Sequence, residues 1–123
     1  MTSADIDSAL AACTAGIEAE LPLLRRIHEL STLQYDSSAR NDIDGVCRTG
    51  NAREELLAQV LAIEVRTRPA RELLAANAAL AASRPGHDAL SDLRQSAAGQ
   101  IAEILAVGER TKELLRTAQA ARE

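Results

Sequence analysis

Histidines and clustered acids are the residue types in this chain whose spacing could support metal or acid–base chemistry. His28-Glu29-Leu30-Ser31-Thr32 opens like the helical zinc motif, in which a second histidine four residues on lets two imidazoles share one metal. Position 32 is threonine, His87 is the only other histidine, and no Glu-x-x-His pair of the di-iron bundle kind is present. Asn41-Asp42-Ile43-Asp44-Gly45 has the outline of a calcium loop. Setting Gly45 on the loop's turn glycine, however, puts Arg40 at the first ligand position and Asn51 where a bidentate glutamate belongs. The sequence therefore predicts no metal site and no cofactor, and assigns these acids to helix capping. Cys13 and Cys47 are too few and too far apart for a metal cluster, and are expected to be core-facing thiols rather than a disulfide.

His28 has a second reading as the phosphorylated residue of a histidine phosphotransfer bundle. The segment keeps the His and Leu of that pattern but lacks the Lys that screens phosphate charge and the Gly that opens space for a partner. A partly buried structural histidine is the preferred reading. No glycine-rich phosphate loop, paired catalytic carboxylates or activated nucleophile stands out, so the expectation is no catalytic residues and no enzyme. With a formal net charge of -4 and arginines that alternate with acids, the chain offers no reservoir of positive charge for nucleic acid. Met1 to Asp7 lacks the pattern of a signal peptide, and no run reaches the ~18 apolar residues of a membrane span. A cytoplasmic protein without membrane insertion is expected.

The elements that would position any site are helices. Phe and Trp are absent and Tyr35 is the sole aromatic residue, whereas Ala and Leu, strong helix formers, dominate. Thr2 with Asp5, or Ser3 itself, suits a helix start, and Ile6, Leu10, Cys13, Ile17, Leu21, Leu24 and Ile27 then recur at spacings of three and four. Pro22 kinks this helix or divides it; the apolar stripe crosses Pro22, which favours a kink. The polar run Asp36 to Asn41 reads as a connection, with a cap at Asn41 or Asp42. The second stripe runs through Leu56, Val60, Ile63, Thr67, Ala70, Leu74, Asn77 and Ala81, widened by Leu57, Leu61 and Val65, with a bend expected between Glu64 and Pro69. Arg84-Pro85-Gly86-His87 suits a type II turn, and Asp88 a cap for a third helix. The third stripe is Leu90, Leu93, Ala97, Ile101, Ile104, Gly108, Thr111, Leu114 or Leu115, and Ala118.

The predicted architecture is a single domain over 1–123, all-α, an elongated antiparallel bundle of three long helices with coiled-coil-like packing. The helices should span approximately residues 4–36, 42–82 and 88–121, each on the order of 50 Å long. Three such helices leave an apolar groove or flank open to a further helix. Ile101 with Leu105, and Leu114 with Leu115, broaden the apolar face of the third helix beyond what one neighbour covers, which points to that helix as a protein-binding surface.

Asp42-Ile43-Asp44-Gly45-Val46 followed by Arg53-Glu54-Glu55-Leu56-Leu57-Ala58-Gln59-Val60-Leu61-Ala62-Ile63-Glu64 resembles the central region of FlgN-type flagellar export chaperones. There an acid-capped turn leads to a charged residue, a double leucine and a repeat ending in Leu or Ile followed by Glu. Glu20, Leu24 and Leu30, and Thr111-Lys112-Glu113-Leu114-Leu115, fit the same plan, while Gly45, Gly50 and Pro69 depart from the smoother family helix. The resemblance implies a cytosolic chaperone of the flagellar type III secretion system that holds hook-associated proteins by an amphipathic terminal helix. It implies client binding through the C-terminal helix, here the stretch carrying Leu90, Leu93, Ile101, Ile104, Leu105, Leu114 and Leu115. Two other readings remain open: a structural or self-associating coiled-coil protein forming a homo-oligomer, and the phosphotransfer domain on His28.

Overall fold

A computed structural model describes residues 2–122, and these fold into four helices with no strand: α1 (Ser3–Ala39), α2 (Ile43–Ala76), α3 (Ala78–Ala82) and α4 (His87–Arg122). The all-α bundle expected from the composition is present, with three long helices and one short one. α1 starts on a reciprocal cap: Thr2 Oγ1 accepts the Asp5 N–H at 3.2 Å and the Asp5 carboxylate accepts the Thr2 N–H at 3.0 Å. Its 37 residues, at 1.5 Å each, extend about 55 Å. Pro22 lies inside this helix without dividing it.

α1 runs further than the sequence suggests because its end is closed by a left-handed residue. Asn41 has φ 58°, which turns the chain so that the Asp42 N–H reaches the Ser37 carbonyl at 2.9 Å and the Asn41 N–H reaches the Ser38 carbonyl at 3.3 Å. Asp42 then caps α2, its Oδ1 accepting the Gly45 N–H at 3.0 Å. A Cβ on Gly45 would run into that carboxylate and into the Ser37 hydroxyl, so the glycine that weakens the helix is what lets the turn close.

The single second helix expected over 42–82 is instead two. Asn77, at φ -128° and ψ 40°, interrupts it, and its side-chain amide donates to the Leu73 carbonyl at 2.9 Å. An asparagine that bonds back to the preceding turn competes with helix continuation. Pro69, by contrast, stays inside α2. The Arg84–His87 turn forms as expected, with Gly86 at φ 94° and the His87 N–H donating to the Arg84 carbonyl at 3.3 Å. α4 opens at His87, so Asp88 lies in its first turn rather than at the cap. Arg84 ties this turn to α1 through a two-pronged pair, Nε to Asp7 Oδ1 at 2.9 Å and Nη2 to Asp7 Oδ2 at 2.8 Å.

α1 is the common floor. It packs extensively on both α2 and α4, yet among the described residues no Cα of α2 comes within 8 Å of a Cα of α4. The apolar interior falls into two clusters along α1. One gathers Ile6, Leu10 and Cys13 with Leu74, Ala81 and Leu90; the other gathers Leu24 and Ile27 with Val60 and Ala97. Between them lies a waist of buried Gly16, Glu20 and Thr67.

α4 keeps a three-four rhythm, but its core register differs from the expected one at two points. Val107 is buried where the stripe was read through Gly108, and half-buried Gln100 sits in the core register while Ile101 is 45% exposed. Leu57, Leu61 and Val65, expected to widen the core stripe of α2, are exposed, and so is Cys47. Cys13 is buried as expected, and burial pushes its thiol up, away from the reactive thiolate.

The close approach of α1 and α2 at the waist is set by the missing side chain of Gly16, where a Cβ would stand 2.8 Å from Thr67 Cγ2. Gly16→Leu is expected to lower stability by about 1–3 kcal/mol through overpacking. Gly99→Ala, on an open helix surface with no heavy atom within 4 Å of the added Cβ, should raise it by about 0.5–1 kcal/mol. Urea denaturation followed by circular dichroism measures both, and equal effects would contradict the packing described.

Candidate docking groove

The gap between α2 and α4 is a groove with α1 as its floor, and three recesses lie along it. Arg71 and Arg94 are shared by the first and second recesses, and Ile101 by the second and third. On α4 the lining residues run from His87 to Lys112, a span of about 37 Å at 1.5 Å per residue. That matches the length of one long helix.

The third recess is the apolar part, a cavity of about 330 Å³ formed by Leu24 and Ile27 of α1, Leu57 of α2, and Ile101, Ile104 and Leu105 of α4. Arg53, Glu54, Glu109 and Lys112 rim its end. Leu61 and Val65 continue the exposed apolar face of α2 beyond Leu57 at helical spacing. In water these large side chains are a net cost that a partner's apolar surface would remove, at about 25 cal/mol per Å² covered.

The second recess, at the waist, is different in kind. Its cavity of about 230 Å³ is lined by Cys13, Gly16, Ile17 and Glu20 of α1, Glu64, Thr67 and Arg71 of α2, and Arg94, Ala97, Ala98 and Ile101 of α4. Glu20 is only 5% exposed, and no cationic side chain among the described residues lies within 4.0 Å of it. Arg71 is committed to Glu64: Nη2 meets the Glu64 carboxylate at 3.0 Å and donates to the Glu64 carbonyl at 2.6 Å. Its Nε is buried without an acceptor. Burial, the proton shared with the Glu64 carboxylate and that carboxylate's charge together push Glu20 up to about 7, against a smaller opposing pull from Arg71.

The structure distributes the sequence-predicted surface residues over three places. Ile101, Ile104 and Leu105 meet in the apolar recess. Leu114 and Leu115 lie at the far end of α4, in a separate recess of about 470 Å³ with Ile43 and Val46 of α2. Leu93 is half-buried, and Leu90 is 1% exposed inside the first core cluster, so its side chain is not on offer to a client. Leu57, which the sequence places in a wide core stripe, lines the apolar recess instead, whereas Leu61 and Val65 are exposed on α2 and line none of the three recesses. The pattern reading missed the waist, although Glu20 falls in register with Cys13, Ile17, Leu24 and Ile27, and an acid on an apolar stripe is a signal in itself.

His28 lies away from the groove, its Nδ1 3.6 Å from the Glu103 carboxylate. Among the described residues no group of three or more His, Cys, Asp or Glu side chains is placed to hold a metal ion, and no helix is long and apolar enough to cross a membrane. Comparison with protein-family models, with curated proteins and with solved structures gives no match for this chain.

Glu20 gives the fold a definite pH dependence. Its pKa is raised from 4.5 to about 7, so the folded state holds the proton over a range in which the unfolded chain has released it. Stability contributed by this group is therefore present at and below its unfolded value and is lost as pH climbs through its folded value. Melting temperature should fall from about pH 5 to pH 8, and Glu20→Gln should flatten the decline and be the more stable protein at pH 8. A wild-type profile that rises over that interval, or a Glu20→Gln profile that overlays it, would contradict the burial of this carboxyl.

Proposed function

We propose that this chain is a helix-binding module that holds a partner protein in the α2–α4 groove, and that it acts in the cytosol as an export chaperone of the flagellar type III kind. The observation that carries the reading is the unfilled gap between two long helices that both rest on α1, walled by exposed Leu57, Ile101 and Leu105. An amphipathic helix laid into it would complete a four-helix packing and bury its own apolar face against leucines now in water. Hook-associated clients are the partner class that the family resemblance of the central segment implies. Covering an apolar client helix before export would prevent premature self-assembly. No catalytic step is part of the proposal. The groove supplies apolar surface and a few charges, which suffices for a complex of moderate, reversible affinity.

The test is to mix the protein with terminal segments of hook-associated proteins encoded in the same genome and measure affinity by calorimetry. Leu105 is 64% exposed, so Leu105→Asp should leave folding stability within about 0.5 kcal/mol while weakening the client about tenfold or more. Leu90→Asp, which places a carboxylate in the core, should unfold the protein. Equal affinity in wild type and Leu105→Asp would remove the groove from the reading. A tight dimer of the protein alone, dissociated by Leu105→Asp, would make a second copy the occupant.

A further inference from the structure

The outer side of α2 carries apolar surface that the groove does not use. Val60, Ile63 and Thr67 are the face that α2 turns to α1. Leu61 stands roughly 130° round the helix from them and is 56% exposed, with Val65 at 61% beyond it and Leu57 at 41% on the side toward the groove. A single exposed leucine is ordinary, but these three follow one another four residues apart and form one strip. Glu54 and Arg68 close the strip at its two ends; both are exposed, and neither belongs to an ion pair among the described residues. The order Glu54, Leu57, Leu61, Val65, Arg68 has spacings of three, four, four and three. All five residues fall within roughly 80° of the helix surface, at the mean spacing of a two-helix seam. The pattern reads the same from either end, except that the charge changes sign.

We propose that this strip is a self-association seam, along which the α2 helices of two copies of this chain pair antiparallel about a two-fold axis at Leu61. In that arrangement Leu61 meets its own counterpart, Leu57 of each copy meets Val65 of the other, and Glu54 of each copy meets Arg68 of the other. A parallel pairing would set glutamate on glutamate and arginine on arginine. The charge arrangement is therefore complementary to a second copy in one direction only, the isologous contact of a symmetric dimer. The apolar strip supplies the attraction, and the end charges choose the direction, since exposed ion pairs add little affinity of their own. The inference does not depend on the helix-binding reading: Leu57 and Glu54 lie on the lip shared with the apolar recess, whereas Leu61, Val65 and Arg68 lie outside every recess of the groove. A seam from Glu54 to Arg68 is about 21 Å long, which belongs with the small interfaces below about 1,200 Å² that associate weakly and reversibly.

Sedimentation equilibrium of the full chain at low salt tests this, with circular dichroism to confirm that each variant is folded. Wild type should dimerise with a dissociation constant on the order of 10–100 µM. Leu61→Asp, which sets two carboxylates face to face on the axis, should weaken the dimer about tenfold or more, and Leu105→Asp, on the far side of the groove, should leave it unchanged. Glu54→Arg and Arg68→Glu should each weaken self-association about fivefold, because each brings like charges together at both ends. Mixing these two variants in equal amounts should restore the dimer, since every end contact in the mixed pair joins opposite charges. A wild-type chain that stays monomeric to about 500 µM, far above the association expected of such an interface, would overturn the proposal. So would single charge variants that dimerise like wild type, or a mixture no tighter than its components. A dimer that survives Leu61→Asp and is lost in Leu105→Asp would also overturn it, and would place the second copy in the groove.

Discussion

The architecture depends on α1 serving, among the described residues, as the main surface on which both other long helices bury their apolar stripes. In a closed three-helix bundle each helix touches two neighbours, so each has a wide apolar face. Here α2 and α4 each rest on α1 and stand apart from one another. Each therefore needs only a narrow seam of core residues, and the apolar residues beside that seam are left facing the gap. The turns at either end hold this arrangement in place. The Asn41–Asp42 reversal fixes α2 against α1, and the Arg84–Asp7 pair fixes the entry to α4.

Most of the fold was legible because alanine, leucine and a three-four rhythm admit little else. The helices, the type II turn, the Thr2–Asp5 cap and the continuity of α1 through Pro22 all follow from local rules that tertiary packing did not override. Register within a helix was harder. Ile101 and Gln100 differ by one position, and hydrophobicity alone puts the isoleucine inside; the structure puts Gln100 in the seam and turns Ile101 to the groove. The same ambiguity hid the place of Leu57 in the apolar recess. A stripe broadened by Leu57, Leu61 and Val65 reads as a larger core, unless it is known that no neighbour stands on that side. The number of neighbours a helix has is a tertiary fact, absent from its own sequence.

The waist was legible only in part. Glu20 lies on the stripe of α1, and its register could have been read as a buried acid, but its partners come from residues 44 and 51 positions further on, Glu64 and Arg71, which pattern reading has no means to bring to it. The proximity of Gly16 and Thr67 helps to place the site there: α1 and α2 pack tightly where α1 has no side chain. Small residues and a buried carboxyl separate the fully buried apolar residues into two clusters, which half-buried Ile17 joins.

The polar waist also opposes closure of the groove. Exposed Leu57, Ile101 and Leu105 favour collapse of α4 onto α2, since covering apolar surface is favourable at about 25 cal/mol per Å². Such a collapse would also seal Glu64, Arg71 and Arg94 around Glu20. Only the Glu64–Arg71 pair is already made, so the remaining charges would leave water without complete partners, at a penalty of several kcal/mol per ion. The hydrophobic gain over a few leucines is of similar size and opposite sign. A helix entering from outside does not meet this conflict in the same form, because it brings its own apolar surface to the recess and leaves the outer sides of Arg71 and Arg94 in water. The polar waist therefore disfavours closure of α4 onto α2 more than it would disfavour the entry of a separate apolar helix.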